Sequence, residues 1–296
     1  MGKVYEALKK AEIEGRPAVW SSVGIEKPSQ GVAEHDEDPD ADFMSYSLNA
    51  LNAVEIEERN KEFAARHAAR KSLIKPAREI TVDPASIALS LSAFQNLIND
   101  ATEEYNRLAI SLITASAERP VKRILIASAQ HGEGRTSITL NLACALARSQ
   151  RKVLVVDTDL HRPSLLRFLG LSVEVGLTDA LKKGLPAGSA VVRIQPFGFD
   201  ILPTREQVKN PAELLSSPSF GEMLELFEPD YDFILFDSPP LLGVADSSLL
   251  IRQTDAAVLV IRSGKTTSGQ IGRAVAPLSQ EKILGVVLNR ARDLAH

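Results

Sequence analysis

Beyond Pro120, short apolar runs alternate with stretches whose apolar residues recur at helical spacing. Residues 121–128, 152–157, 199–202, 233–237, 256–261 and 283–288 predict strands. They are near-continuous runs of Val, Ile and Leu, the pattern of strands covered on both faces. Residues 136–149, 162–169, 177–183, 211–227, 247–252 and 268–279 predict the intervening helices. This order implies an α/β domain, a doubly wound, mostly parallel sheet with helices on both faces, with ligands expected at the carboxyl ends of its strands. A further helix is predicted over 86–113, with Ile87, Leu91, Phe94, Leu97 and Ile98, then Tyr105, Leu108 and Leu112, at helical spacing.

The first part of the chain has a different pattern. Residues 2–14 read as a short amphipathic helix, with Val4, Leu8 and Ala11 on one face. The acidic run Glu34-His-Asp-Glu-Asp-Pro-Asp-Ala-Asp42 has no apolar periodicity and predicts a linker without a packed core. Residues 51–72 alternate Ala with Glu and Arg and predict a solvated tether or a marginal exposed helix. The expected organisation is a helix at 1–15, a flexible, largely disordered linker at 16–85 and a folded domain at 86–296.

Composition narrows the function classes. The 296 residues carry a net charge of −4, which offers no bulk attraction to nucleic acid. A single cysteine, Cys144, excludes a disulfide framework or a multi-cysteine metal site. The opening residues lack the apolar core of a secretory signal, and the longest apolar runs are far short of a membrane span. The expectation is a soluble cytoplasmic protein.

Three strand ends carry candidate chemistry. In Ile124-Leu-Ile-Ala-Ser-Ala-Gln-His-Gly-Glu-Gly-Arg-Thr-Ser137 an apolar strand runs into a turn with Gly132, Glu133 and Gly134, and then into a helix opened by Arg135, Thr136 and Ser137. This is the layout of a phosphate-binding P-loop, in which backbone N–H groups and a helix N-terminus face an anion. Arg135 stands where such loops carry lysine. It keeps the charge but forks onto two oxygens instead of acting as a compact point charge. In Val153-Leu-Val-Val-Asp-Thr-Asp159 two carboxylates close a strand, and in Phe233-Ile-Leu-Phe-Asp237 one does. A hydrated Mg²⁺ with its phosphates is a natural partner for such acids. A helix N-cap would account for Asp159 alone, and a turn for Asp237 alone.

The P-loop, the D-x-D strand and the strand ending Asp237-Ser-Pro-Pro240, followed by Asp246, resemble the bacterial tyrosine kinases of the MinD/ParA-like P-loop ATPase branch. The resemblance extends to Gly176-Leu-Thr-Asp-Ala-Leu, Asn210-Pro-Ala-Glu-Leu-Leu, Arg262-Ser-Gly-Lys-Thr-Thr267 and Gly285-Val-Val-Leu-Asn289. It covers roughly residues 86–292, and the opening Gly2-Lys-Val-Tyr-Glu also resembles stand-alone members. It implies an ATP- and Mg²⁺-dependent protein-tyrosine kinase regulating exopolysaccharide or capsule synthesis. Thr136 would bind Mg²⁺ directly, with Asp159 and Asp237 acting through its waters. Asp157 would be the base facing a tyrosine hydroxyl, Asp159 and Arg135 would complete the catalytic set, and Asn289 would sit at the adenine. The resemblance also implies a membrane chain-length determinant, or polysaccharide co-polymerase, as the partner that recruits the protein to the inner face of the membrane.

The sequence departs from the family pattern in several places. His161 stands where D-x-D-x-R carries arginine, either as a phosphate contact or as a surface residue. The helix Glu103-Glu-Tyr-Asn-Arg-Leu-Ala resembles the E-x-x-R-x-x-R segment of the ring-shaped homo-oligomer, but Asn106 and Ala109 occupy its arginine positions. No tyrosine follows Tyr231; the others are Tyr5, Tyr46 and Tyr105. These departures raise an alternative, an ATP-binding regulatory subunit of the polymerisation machinery with little or no kinase activity. A partition ATPase is disfavoured, because Gln130 holds the place of that group's signature lysine.

Overall fold

The computed structural model describes residues 19–21, 74–83, 87, 91 and 100–290. Strands β3 (Arg123–Ser128), β4 (Val153–Asp157), β7 (Phe233–Asp237) and β8 (Ala256–Arg262) form the centre of the sheet, and β9 (Ile283–Asn289) lies outside β8. Alternate residues of the central strands enter different apolar layers. Ile124, Ile126, Val153, Val155, Phe233 and Leu235 pack in one, while Leu125, Ala127, Leu154, Val156, Ile234 and Phe236 pack in the other. Both faces are therefore covered, which explains the unbroken apolar runs.

The first layer is completed by α1 (Asp100–Glu118), through Leu108 and Leu112, and by α2 (Arg135–Arg148), through Leu142 and Leu146. A one-turn helix, α3 (Leu165–Leu169), joins them with both its end leucines buried. The opposite layer receives α4 (Leu177–Lys183), α5 (Pro211–Leu215), α6 (Pro218–Phe227), α7 (Asp246–Gln253) and α8 (Ser268–Val275). Burying one Leu or Phe side chain is worth roughly 1.5–3 kcal/mol, so these two layers carry the fold.

Among the described residues the sheet has nine strands, in the order β1-β9-β8-β3-β7-β4-β6-β5-β2. All neighbours are parallel except β5 (Val192–Gln195) and β6 (Phe199–Leu202), which form an antiparallel pair. The doubly wound, mostly parallel expectation holds. Every described residue belongs to one compact unit.

The expected flexible linker is corrected near both ends. β1 (Val19–Ser21) pairs with β9, and β2 (Arg78–Thr81) pairs with β5, so the segment before the domain supplies both edges of the sheet. These short strands lack an apolar run; Val82, directly after β2, is buried. β5 was also not expected, because Arg193 interrupts its apolar pattern.

Two predicted helices change. The one over 211–227 breaks into α5 and α6: the Ser217 hydroxyl accepts the Phe220 N–H at 3.2 Å as an N-cap, and Pro218 takes the first helical position. Ile87 and Leu91 are buried as expected, but neither is helical, and the helix is described from Asp100. Phe94, Leu97 and Ile98, the helix expected at 1–15, and residues 51–72 lie outside the described residues.

Candidate nucleotide site

The parallel sheet brings the three motif ends together. β3 lies between β7 and β8, and β7 lies between β3 and β4, with Asp157 and Asp237 as direct register partners. The phosphate loop leaves β3 at Ser128 and enters α2 at Arg135, with Gly132 at φ 77° and Gly134 at φ 101°. Only glycine takes such angles without strain. Gly134 is also crowded, since a Cβ there would fall 2.0 Å from Nδ2 of Asn289.

Residues at the ends of β8 and β9 brace the loop from behind. Glu133 is 2% exposed, and its carboxylate accepts the Gln130 N–H at 2.9 Å and the Thr266 hydroxyl. Asn289 Nδ2 donates to the Glu133 carbonyl at 2.7 Å, and Arg262 donates to the Gly132 carbonyl at 3.4 Å. The resemblance put Asn289 at the adenine. In the structure its amide holds the loop, because β9 ends directly behind Gly134.

Thr136 donates to Asp237 Oδ2 at 2.7 Å, and its oxygen lies 2.8 Å from the Ser164 hydroxyl. Asp157 Oδ2 accepts the N–H groups of Ser164 and Leu165 at 3.0 and 3.1 Å. Asp159 accepts the Arg162 N–H at 3.1 Å. Ser137, on the first turn of α2, is half-buried, with its carbonyl accepting from Asn141 at 2.9 Å.

This group of acids is strained electrostatically. Burial, with Asp237 beside it, holds the Asp157 carboxyl well above the usual range. Burial also pushes Asp237 up to about 6, against the lowering effect of Arg135, and raises Asp159. Asp157 Oδ1 and Asp237 Oδ1 are buried without a hydrogen-bond partner. Orphaned carboxylate oxygens beside a threonine hydroxyl are the hard donors that Mg²⁺ prefers, and a cation there would remove the penalty. The residues fit the metal.

Arg135 is buried among these groups. Its Nε donates to the Ser238 carbonyl at 2.7 Å, Nη1 to the Ser128 hydroxyl and, at 3.0 Å, to the Gln130 carbonyl, and Nη2 approaches Asp159 Oδ2 at 3.4 Å. His161 pairs with an acid of α7. It is part-exposed, and its Nε2 lies 2.6 Å from Asp246 Oδ2 at the start of α7, an ion pair when the ring is protonated. Sequence reasoning missed Ser164, Ser238 and Thr266. All three left a signal: Ser238 and Thr266 stand inside the segments Asp237–Pro240 and Arg262–Thr267, and Ser164 closes the Asp-x-Asp loop just before a helix.

A family model described as an AAA domain matches residues 121–269. Tyrosine-protein kinase YwqD of Bacillus subtilis is 37% identical over 197 residues, covering 66% of this chain and 83% of that protein. Tyrosine-protein kinase etk of Escherichia coli is 32% identical over 200 residues, covering 67% of this chain and 27% of that one. The kinase domain of Escherichia coli tyrosine kinase ETK superposes with a TM-score of 0.66 at 26% identity, covering 75% of this chain and 92% of that domain. The chain belongs to the bacterial tyrosine kinase family.

Within this family its coverage is uneven. It spans most of the Bacillus relative but less than a third of the Erwinia amylovora and Escherichia coli relatives. As a family member it has an ATP-binding P-loop domain, and both tyrosines among its described residues are sequestered. Tyr105 is 4% exposed, and burial raises its hydroxyl to about 12. Tyr231 is 5% exposed and donates at 2.8 Å to Asp200, itself held bidentately by Arg193. On α1, Ala109 is fully buried and faces the core. No described helix is long and apolar enough to cross a membrane.

Proposed function

We propose that this chain is an Mg²⁺- and ATP-dependent protein-tyrosine kinase that regulates exopolysaccharide or capsule assembly. The observation that carries the reading is the convergence of Thr136, Asp157, Asp159 and Asp237 behind a glycine-shaped phosphate loop, with two buried carboxylate oxygens unpartnered. Thr136 would hold Mg²⁺ directly, with Asp159 and Asp237 acting through its waters. When bound, the ion offsets the charge of the phosphates.

The chain's own residues have separable tasks. The N–H groups of the loop from Gly132 to Ser137 and the Arg135 guanidinium bind phosphate oxygens. Asp157 takes the proton of the acceptor hydroxyl as the general base. Asn289 and Glu133 keep the loop in its binding shape. Positioning and charge neutralisation supply most of the catalysis in phosphoryl transfer, so this set is sufficient.

The acceptor tyrosine lies on another protein or outside the described residues, where Tyr46 is the candidate. The proposed partner is a membrane chain-length determinant or polysaccharide co-polymerase, which recruits the protein from the cytoplasm to the inner face of the membrane. A homo-oligomer, if formed, uses contacts other than the arginine ladder at Asn106 and Ala109. Incubation with labelled Mg-ATP and a glutamate–tyrosine copolymer tests the kinase reading. It expects phosphotyrosine from the wild type and a loss of at least roughly 100-fold in Asp157→Asn.

A second reading, an ATP-binding regulatory subunit with little kinase activity, is favoured by the burial of Tyr105 and Tyr231. It expects tight Mg-ATP binding and no phosphotyrosine on any substrate.

A further inference from the structure

Ser164 stands at the N-cap position of the one-turn helix α3. Serine is favoured there because its hydroxyl can accept a helix N–H. In this chain the hydroxyl makes no cap bond. It lies 2.8 Å from the Thr136 hydroxyl instead, on a residue only 7% exposed.

A count of hydrogens gives this contact its direction. Thr136 has one hydroxyl hydrogen, which goes to Asp237 Oδ2 at 2.7 Å. Ser164 is therefore the donor to Thr136. A hydroxyl oxygen has two lone pairs. One of those on Thr136 takes the Ser164 hydrogen, and the other is left for a metal ion. With its hydrogen and one lone pair both fixed, the Thr136 oxygen presents the remaining pair in a single direction.

The backbone of the same residue acts on Asp157. The N–H groups of Ser164 and Leu165 donate to Asp157 Oδ2 at 3.0 and 3.1 Å. They occupy one carboxylate oxygen and leave Oδ1, which is buried without a partner. Ser164 thus meets the metal-binding hydroxyl with its side chain and the proposed base with its main chain.

We propose that Ser164 is a positioning residue: its hydroxyl aims the Thr136 oxygen at Mg²⁺, while its N–H fixes which oxygen of Asp157 is left to take the acceptor's proton. This rests on the Mg-nucleotide kinase reading of the site. Substitution of the side chain removes only the hydroxyl, so its effect shows at the metal and reaches catalysis through Thr136.

Ser164→Ala removes the hydroxyl and keeps the N–H, and Ser164→Thr keeps both. Affinity of the full-length proteins for a fluorescent ADP analogue is measured across a Mg²⁺ series and in chelator, and kcat and KM are measured on the glutamate–tyrosine copolymer. Ser164→Ala is expected to need at least roughly tenfold more Mg²⁺ to reach its tight-binding form and to lose kcat by a similar factor, with affinity in chelator and copolymer KM unchanged. Ser164→Thr recovers most of both losses. A wild-type Mg²⁺ requirement in Ser164→Ala overturns the proposal, as does an equal loss in a folded Ser164→Thr, which would place the effect in packing. If the wild type makes no phosphotyrosine, the kinase reading fails, and the Mg²⁺ series still decides whether Ser164 orients Thr136. A wild-type affinity that ignores Mg²⁺ overturns both. If a thermal melt shows Ser164→Ala unfolded, Ser164→Cys, whose thiol is a weak donor, takes its place.

Discussion

Thr136 donates a 2.7 Å hydrogen bond to Asp237 across 101 residues of sequence, joining the first turn of the phosphate-loop helix to the end of the central strand β7. The bond satisfies one oxygen of a buried carboxylate and leaves Oδ1 without a partner. The free protein thus carries an unpaid desolvation cost at the place where a metal would remove it. This makes Asp237 a group that works against stability in the absence of ligand.

Asp237→Asn is expected to stabilise the nucleotide-free protein at neutral pH. The folded carboxyl titrates near 6 against an ordinary 3.8. Its contribution to stability is therefore present below pH ~4 and is lost as pH rises through about 6. Two units correspond to roughly 3 kcal/mol before relaxation of the site. Urea unfolding of both proteins from pH 4 to 8 checks this, with the asparagine variant gaining on the wild type as pH rises. A constant difference across that range would remove Asp237 as the source.

Gly134→Ala is expected to weaken nucleotide binding by roughly 10- to 100-fold, the cost of forcing a non-glycine residue to φ 101°. The added methyl also meets Asn289 Nδ2 at 2.0 Å. Adding Asn289→Ala removes the collision but not the backbone strain, so the double variant should recover only part of the affinity. Fluorescence titration reads the affinities and circular dichroism confirms the fold. Full recovery would place the whole cost on the collision.

Tyr231→Phe is expected to cost about 1–3 kcal/mol of stability, because it removes the donor to the buried Asp200 carboxylate. Phosphotyrosine mapping after incubation with Mg-ATP should find neither Tyr105 nor Tyr231 modified in the folded protein. Modification at either residue without unfolding would contradict their burial.

The acids of the site were legible because a parallel sheet presents all its strand ends on one edge. An apolar run ending in Asp157 or Asp237 therefore marks that edge without further information. Glycine at 132 and 134 was legible for a similarly local reason. Other features depend on partners distant in sequence. Arg135 bonds the carbonyl of a residue 103 positions away, and backbone carbonyls leave no mark in a sequence. β1 and β2 are three- and four-residue edge strands whose pairing is set by the strands already in place, not by their own composition. Asn289 likewise bonds the carbonyl of Glu133, 156 positions away, which no local pattern announces.

The most direct test is calorimetric titration of a non-hydrolysable ATP analogue into wild type and Asp237→Asn, each with Mg²⁺ and with chelator. The wild type should bind at least roughly tenfold more tightly with Mg²⁺, and the variant should lose that difference while keeping the metal-free affinity. An equal Mg²⁺ effect in both proteins would contradict the assignment of Asp237, with Thr136, to the metal.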